Sequence, residues 1–324
     1  MCTAVTYKTK CRYFGRSLDL EYTAGESVII MPRNYPLAFR REGELKRHYA
    51  VIGIGITADG YPLWYDAVNE KGLGIAGLNF PGTADYKPYA EGRDNIAPFE
   101  LIPWLLGQCA DISEAWRMLE RINIADIDFS GDVPNHPLHW IIDGRGGALT
   151  VESVREGLKI YDNPVGVLTN NPGFDFHMTN LNNYMHLSPE KPVNSFSDRL
   201  DLRPISRGVG AFGLPGDASS VSRFVRAAFV KLNSVSGDSE GESVSQFFHI
   251  LGAVEQQRGC TRIGGGKYEM TQYSACCNAD KGIYYYKTYD CSAVNGIDMR
   301  KENLDGENLI LYPLIKEMEI RLQN

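Results

Sequence analysis

The 324-residue sequence lacks the long apolar segments that mark membrane and secreted proteins. No stretch reaches the ~18 apolar residues of a membrane-spanning helix. The N-terminal segment also lacks an apolar core of ~7–15 residues, as a secretory signal would have, because Lys8, Lys10, Arg12 and Arg16 interrupt it. We therefore expect a cytoplasmic protein with no membrane partner.

The sequence also lacks an excess of basic residues and the Cys and His spacings that are typical of metal sites. The net charge of −7 argues against a nucleic-acid partner, which would require a basic surface. The seven cysteines are an odd number without a C-x-x-C pair, and the six histidines include no H-x-x-x-H pair. No glycine-rich nucleotide motif lies between a strand and a helix. The sequence thus predicts no disulfide framework, no metal and no cofactor.

Strand-like segments occupy both ends of the chain. Loose alternation predicts a strand over residues 3–13, and an antiparallel meander with an Asp-Gly turn is predicted over residues 49–80. A further strand pair is predicted from residues 158–161 and 165–168, with a turn between them.

Helix-like segments are grouped between these strands. Asp111 begins one apolar stripe in a capping position, and Ser243 with Gln246 resembles a capping box that opens another helix. Residues 187–217 are rich in Pro, Gly and Ser, which predicts a long surface excursion. The whole pattern predicts an α+β sandwich of two antiparallel sheets covered by helices.

Cys2 carries the main chemical signal. Loss of Met1 would make Cys2 the N-terminus, so that one residue would carry both a thiol nucleophile and an α-amine base. An α-amine has a reference pKa of about 7.7–8.0 and a thiol about 8.5, which suits proton transfer near neutral pH. Taken alone, a small residue after the start codon is the simpler explanation.

The other polar candidates also have structural explanations when each is taken alone. Arg16 and Asp19 would form an exposed ion pair of little energetic value. Asn79 and Asn170 would be turn or strand-end residues, and Arg223 a solvated helix residue. Only their combination favours a catalytic function.

The combination resembles the choloylglycine hydrolases, a family of N-terminal-nucleophile amidases. Similar blocks follow in order over essentially the whole chain: Met1-Cys2-Thr3, Phe14-Gly15-Arg16-Ser17-Leu18-Asp19, Asn69-Glu70-Lys71-Gly72-Leu73-Gly74, Gly77-Leu78-Asn79-Phe80-Pro81, Leu168-Thr169-Asn170-Asn171-Pro172, Gly213-Leu214-Pro215-Gly216-Asp217, Ser222-Arg223-Phe224, Gly282-Ile283-Tyr284-Tyr285-Tyr286 and Lys301-Glu302-Asn303-Leu304-Asp305-Gly306. Within the family, the bacterial bile salt hydrolases are most similar, and the penicillin V acylases form the related branch.

The resemblance implies a four-layer αββα sandwich in one domain, residues 1–324, with Met1 removed. It also implies a homotetramer. Cys2 would be the nucleophile, with its own amine as the base. Asp19 would orient that amine, and Arg16 would lie against the thiolate, since a nearby cation lowers the pKa of a thiol.

The resemblance assigns roles to three further polar residues. Asn170, helped by Asn79, would donate to the oxyanion of a tetrahedral intermediate. Arg223 would complete the polar cluster. Bile salt hydrolases carry Asn where Asn79 stands, whereas penicillin V acylases often carry Tyr, so this position favours bile salts.

A conjugated bile salt is a rigid, mostly apolar steroid, which requires a broad apolar wall with few polar contacts. The substrate-binding residues implied by the resemblance lie around Leu18, in residues 58–65 and in residues 126–137, and are Leu18, Tyr65, Phe129 and Val133. Two functions remain as alternatives to bile salt hydrolysis. One is a penicillin V acylase or another N-acyl amidase of the same fold, and the other is a non-catalytic binder of steroids. Transfer of the acyl group to another amino acid is an alternative to its hydrolysis.

Overall fold

The computed structural model describes residues 1–324. In chain order its strands are β1 (Cys2–Lys8), β2 (Arg12–Leu20), β3 (Ser27–Met31), β4 (Leu37–Ala38), β5 (Glu44–Leu45), β6 (Val51–Ala58), β7 (Tyr61–Asn69), β8 (Gly74–Asn79), β9 (Asp94–Ile96), β10 (Ile122–Ile124), β11 (Leu138–Gly144), β12 (Gly147–Val154), β13 (Gly157–Asp162), β14 (Val167–Leu168), β15 (Thr261–Gly264), β16 (Lys267–Asn278), β17 (Ile283–Thr288), β18 (Asn295–Asp298) and β19 (Ile310–Pro313). The α-helices are α1 (Leu101–Gln108), α2 (Ile112–Leu119), α3 (Phe174–Asn180), α4 (Ser220–Asn233) and α5 (Glu240–Gly252). Short 3₁₀ turns lie at Pro98–Glu100, Leu181–Tyr184, Val209–Ala211 and Met299–Lys301.

Two large antiparallel sheets face each other at the centre of the molecule. The first has the order β14-β1-β2-β16-β17-β18, with β15 paired to β16, and the second has the order β13-β12-β11-β8-β7-β6-β3-β19. Helices α4 and α5 cover the outer face of the first sheet, and α1 and α2 cover the second. Strand β2 contacts β7 and β8 across the layer between the sheets. The predicted α+β sandwich of two antiparallel sheets between helices is confirmed.

The first hairpin places the N-terminus inside this architecture. The prediction of one strand over residues 3–13 is wrong, because the chain turns between Lys8 and Arg12 and returns as β2. Cys2 consequently lies opposite Leu18. The buried polar residues of β2 are thereby brought next to the start of β1.

Gly15 allows β2 to lie close to β16. A Cβ built on Gly15 would stand only 2.0 Å from the carbonyl oxygen of Ala275, so a side chain there would push the two strands apart. The hairpin at Asp59 and Gly60 also depends on backbone freedom, since their φ angles are 50° and 75°. Positive φ angles at both positions are those of a tight Asp-Gly hairpin turn. The Asp-Gly turn predicted within the meander is therefore confirmed.

Two local predictions fail for identifiable reasons. Residues 158–161 and 165–168 do not pair, because β13 joins β12 in the second sheet whereas β14 joins β1 in the first. The Asn163 side chain redirects the chain between them, donating to Val167 O at 3.0 Å and accepting from Gly166 N at 2.7 Å. Helix α5 is capped by Ser239 and begins at Glu240, so the predicted start at Ser243 is wrong.

Ser239 forms a complete capping box with Glu242, whose charged carboxylate suits a helix N-terminus. Ser243 instead lies buried within α5, 2.8 Å from the hydroxyl of Thr9. Residues 187–217 form the predicted irregular excursion, with a single 3₁₀ turn at Val209–Ala211. None of the helices combines the length and the apolar character that crossing a membrane would require.

The helix cap gives a test of this local structure. Ser239→Ala removes the acceptor for Glu242 N, so the free energy of unfolding should fall by about 1 kcal/mol. Ser245→Ala, at an exposed position within the same helix, is the matched control and should change it by less than about 0.5 kcal/mol. Equal urea midpoints for the two variants would show that the helix does not depend on this cap.

Candidate active site

A mainly apolar cleft opens beside the start of β1. Its empty volume is about 1000 Å³, counted out to its mouth, and 14 of its 21 lining residues are hydrophobic. Cys2, Arg16 and Asn79 line it together with the four predicted substrate-binding residues, which are Leu18, Tyr65, Phe129 and Val133. The cleft thus combines a thiol with a wall suited to an amphipathic or apolar ligand.

The cleft wall also contains residues that the sequence did not single out, although those from 63–64 and 134–136 lie within the predicted ranges 58–65 and 126–137. They are mostly apolar and come from β2, β6, β7, the start of α1, the 125–137 loop and β11: Leu20, Tyr22, Ile56, Leu63, Trp64, Pro98, Phe99, Ile102, Pro134, Asn135, His136, Leu138 and Trp140. Outside the two predicted ranges, no local signal in the sequence distinguishes these residues.

Cys2 lies at the base of this cleft with a solvent exposure of only 2%. Its backbone nitrogen donates to Asn170 Oδ1 at 2.9 Å, and its carbonyl oxygen accepts from Arg223 Nη1 at 2.5 Å. Both backbone groups of Cys2 are therefore held by side chains far away in the sequence. The backbone of Cys2 is thereby fixed at the cleft that this residue lines.

Met1 is still attached to Cys2 in this structure. Its ammonium group donates to Asp19 O at 2.6 Å and contacts the Glu269 carboxylate, and its carbonyl accepts from Asp19 N at 2.9 Å. Burial lowers the pKa of the Met1 amine, although the Cys2 and Asp19 charges oppose this. While Met1 is attached, the nitrogen of Cys2 is an amide and cannot act as a base.

Asp19 lies directly behind this N-terminus and is wholly buried. Its Oδ1 accepts from Thr271 Oγ1 at 2.6 Å, and its Oδ2 accepts from Ser17 Oγ at 3.5 Å. A buried carboxylate in this position can hold a positively charged amine at Cys2 once Met1 has left.

Arg16 is also wholly buried, in contrast to a surface ion pair. Its Nη1 donates to Gly77 O at 2.5 Å and to Tyr65 O at 3.0 Å, and its Nε to Ser17 O at 3.2 Å. Its Nη2 has no partner within the protein. Since Arg16 lines the cleft, this nitrogen is available to a ligand or to the thiolate.

Although burial lowers the pKa of Arg16, nearby negative groups raise it above its usual range. The largest of these contributions comes from the Cys2 thiolate, and Asp66 and Asp19 add to it. The guanidinium is therefore a permanent positive charge beside the thiol.

Asn170 and Asn79 meet at the other side of Cys2. Asn170 Oδ1 accepts from Cys2 N and from Arg223 Nη2, the latter at 2.7 Å, and its Nδ2 donates to Asn79 O at 2.7 Å. Asn170 Nδ2 uses only one of its two hydrogens in the structure, although Asn170 is buried and is not among the residues that line the cleft. Asn79 itself lines the cleft.

Arg223 connects this group to helix α4. It is wholly buried, and it donates to Cys2 O, to Thr3 Oγ1 at 2.7 Å and to Ala218 O at 3.0 Å, in addition to Asn170. The alternative of a solvated helix residue is therefore wrong. The structure brings the other five predicted polar residues together around Cys2.

Two buried histidines that the sequence did not indicate contact the backbone at Thr169 and Asn170. His177 Nε2 lies 2.9 Å from Asn170 O, and His139 Nε2 lies 2.9 Å from Thr169 O. His139 also contacts Glu152 at 3.1 Å. Nothing in the spacing of these residues indicated a connection with Asn170.

The structure contains no group of three or more His, Cys, Asp or Glu side chains arranged to hold a metal ion. The polar side chains that line the cleft include Cys2, Arg16 and Asn79, and Asn135 and His136 lie farther along its wall. This set suits acyl transfer through a thiol nucleophile, with amide and guanidinium donors for negative charge.

Comparison with known proteins agrees with this chemistry. The sequence model of the linear amide C–N hydrolases, choloylglycine hydrolase family, matches residues 2–312. This chain belongs to the choloylglycine hydrolase family. The matched range begins at Cys2 and includes all six polar residues of the site.

Individual members of the family resemble the chain over its full length. The "Bile salt hydrolase/transferase" of Lactiplantibacillus plantarum is 56% identical, with 98% of each chain covered. A crystal structure of a mutant conjugated bile acid hydrolase from Clostridium perfringens superposes with a TM-score of 0.92 at 40% identity, and 100% of each chain is covered.

A more distant structure shares the fold. Penicillin V acylase from Agrobacterium tumefaciens superposes with a TM-score of 0.74 over 99% of this chain and 100% of that one, at 19% identity. At this identity the likeness concerns the architecture alone. The chain is therefore a hydrolase of linear amide bonds with the N-terminal-nucleophile fold.

Proposed function

We propose that this enzyme hydrolyses the amide bond between a bile acid and glycine or taurine. The observation that carries the proposal is the buried Cys2 thiol at the base of a large, mainly apolar cleft. A steroid nucleus fits such a wall, and its side-chain amide would reach the thiol. The names of the similar proteins from L. plantarum and C. perfringens support the same substrate class.

The proposed reaction begins after removal of Met1. The free amine of Cys2 takes the thiol proton, and the thiolate attacks the amide carbonyl carbon. The amine then gives that proton to the leaving nitrogen, so glycine or taurine departs and a thioester remains on Cys2. Water hydrolyses the thioester, releasing the bile acid and restoring the thiol.

The surrounding groups have distinct roles in this proposal. Asp19 holds the protonated amine of Cys2, and Arg16 favours the thiolate through its permanent charge. Asn170 Nδ2, together with Asn79, donates to the oxyanion of the tetrahedral intermediate. Arg223 donates to both Asn170 Oδ1 and the Cys2 carbonyl and so fixes their relative positions.

A homotetramer is proposed because the family resemblance implies it, and exposed apolar side chains offer a surface for the interface. Five large apolar side chains in and beside the 187–217 excursion are between 80 and 95% exposed: Met185, Val193, Phe196, Ile205 and Phe212. Exposed apolar surface of this kind marks protein–protein interfaces.

We also propose that residues 1–324 form one domain, because β19, near the C-terminus, pairs with β3 near the N-terminus. The cytoplasmic location stays a prediction of the sequence, and cell fractionation tests it.

The nucleophile is tested by Cys2→Ala. We expect the wild type to lack Met1 in intact mass spectrometry and to release glycine from glycocholate. Cys2→Ala should lose at least about 10⁴-fold in kcat, because no thioester can form. Equal turnover by the two proteins would refute the assignment, and a retained Met1 in active enzyme would refute the role of the amine.

The substrate class is tested in the same assay. Penicillin V offered alongside glycocholate should release its side-chain acid much more slowly. The reverse preference would identify a penicillin V acylase, and binding of glycocholate without any turnover would identify a steroid-binding protein.

The oxyanion donor is tested by Asn170→Ala. Loss of one such donor should lower kcat for glycocholate by about 10²–10³-fold. Asn171→Ala is the neighbouring control, since that side chain donates to Pro81 O and Thr83 Oγ1 and lies outside the Cys2 cluster. If the two variants lost activity equally, the assignment of Asn170 would fail.

The tetramer is tested by size-exclusion chromatography with light scattering. We expect a mass four times that of the chain for the wild type. Replacing Phe196 and Ile205 by Glu should give smaller species, because charge would then lie in the proposed interface. A monomeric wild type at micromolar concentration would contradict the proposal.

A further inference from the structure

A buried polar cluster lies between the two sheets, and no step of the proposed mechanism uses it. Asp66 projects from β7, and its side chain meets two tyrosines of the facing sheet. Tyr273 Oη donates to Asp66 Oδ1 at 2.8 Å, and Tyr284 Oη donates to Asp66 Oδ2. Asp66 is 1% exposed, and both tyrosines are fully buried. Each oxygen of the carboxylate thus has a donor in a site closed to water.

Arg16 enters the same layer from β2. Its Nη1 donates to the carbonyl of Tyr65, the residue directly before Asp66. Burial raises the pKa of Asp66, and the positive charge of Arg16 is the largest influence that opposes this rise. All hydrogen bonds of Arg16 go to backbone carbonyls, so its link to Asp66 runs through the Tyr65 carbonyl and through attraction across the closed layer. An isolated charge in such an interior is costly, which favours keeping two opposite charges in the same layer.

The charged and titratable groups around Arg16 come from four strands. They are Cys2 on β1, Asp19 on β2, Asp66 on β7 and Tyr273 on β16. Cys2 is the nucleophile of the proposed mechanism, and Asp19 already accepts from Thr271 and faces the N-terminus. Asp19 thus compensates the charge of the amine at Cys2. Asp66 is the remaining carboxylate, and its charge can compensate that of Arg16.

We propose that Asp66 is a positioning residue of this active site. Its carboxylate, fixed by the hydroxyls of Tyr273 and Tyr284, holds this part of β7 so that the adjacent Tyr65 carbonyl receives the Arg16 guanidinium beside Cys2. The inference deepens the proposed function, because it rests on Arg16 acting at that thiol. Asp66 itself does not line the cleft and does not touch the substrate.

The coupling between Asp66 and Arg16 is tested without any substrate. Urea unfolding is measured for the full chain as wild type, Asp66→Asn, Arg16→Gln and the double variant. Asp66→Asn should lower the urea midpoint, because Arg16 loses its compensating charge. The double variant should be no less stable than Asp66→Asn alone. Additive losses would mean that the two residues are independent and would overturn the proposal.

The positioning role is tested by steady-state kinetics with glycocholate. Asp66→Asn should lower kcat on the order of 10–100-fold through displacement of Arg16, while KM stays within about threefold. A higher KM with an unchanged kcat would overturn the proposal. Tyr284→Phe keeps the carboxylate and removes one of its donors, so its kcat should lie between those of the wild type and Asp66→Asn.

Tyr286→Phe is the matched control for the tyrosine variant. Tyr286 is equally buried and lies two residues along the same strand, but its hydroxyl accepts from Ile315 N and does not contact Asp66. Its kcat should equal that of the wild type. If Asp66→Asn does not fold, Tyr284→Phe decides: a kcat equal to that of Tyr286→Phe overturns the proposal.

The outcomes separate this proposal from the proposed function. A wild type that does not act on glycocholate contradicts the substrate class, whereas the urea measurements still decide whether Asp66 and Arg16 are coupled. Conversely, full activity in Asp66→Asn contradicts the positioning role and leaves the substrate class intact.

Discussion

The geometry of the site depends on the buried guanidinium of Arg223. It reaches from α4 to the carbonyl of Cys2, the hydroxyl of Thr3 and the side-chain oxygen of Asn170. These hydrogen bonds join three segments that are more than 50 residues apart in sequence. Because all the groups are buried, water cannot replace a lost contact, and the start of β1 and Asn170 are positioned as one unit.

Buried charge is the second constraint. Arg16, Arg223, Asp19 and Asp66 are all almost completely buried, where apolar side chains would usually be more stable. Their hydrogen bonds and mutual attraction offset much of the cost of removing them from water. A sandwich core that retains four such groups next to a thiol has the character of a functional site and not of simple packing.

The elements that depend on local sequence were predictable. The meander over residues 49–80 and its turn at Asp59 and Gly60 follow from alternation and from the one dipeptide suited to positive φ angles. Partner choice was not predictable in the same way. Strands β13 and β14 are adjacent in sequence but belong to different sheets, since pairing is decided by distant strands.

The site was predictable to the extent that its residues belong to recognisable blocks. Cys2, Arg16, Asp19, Asn79, Asn170 and Arg223 all come from such blocks, and the structure places them together. Trp140 and Phe99 in the cleft wall, and His177 behind Asn170, had no such signal. Their side chains have the spacing of core residues, and only their position relative to Cys2 distinguishes them.

By itself, the sequence determined that a cysteine follows Met1, that strands and turns alternate around grouped helices, and which family the ordered blocks resemble. The tertiary structure alone decided that Arg16 and Arg223 are buried and that Asp66 meets Tyr273 and Tyr284, which are 207 and 218 residues away. The physical reason is that strand and turn signals are local, whereas the partners of a buried charge are fixed only when the two sheets face each other.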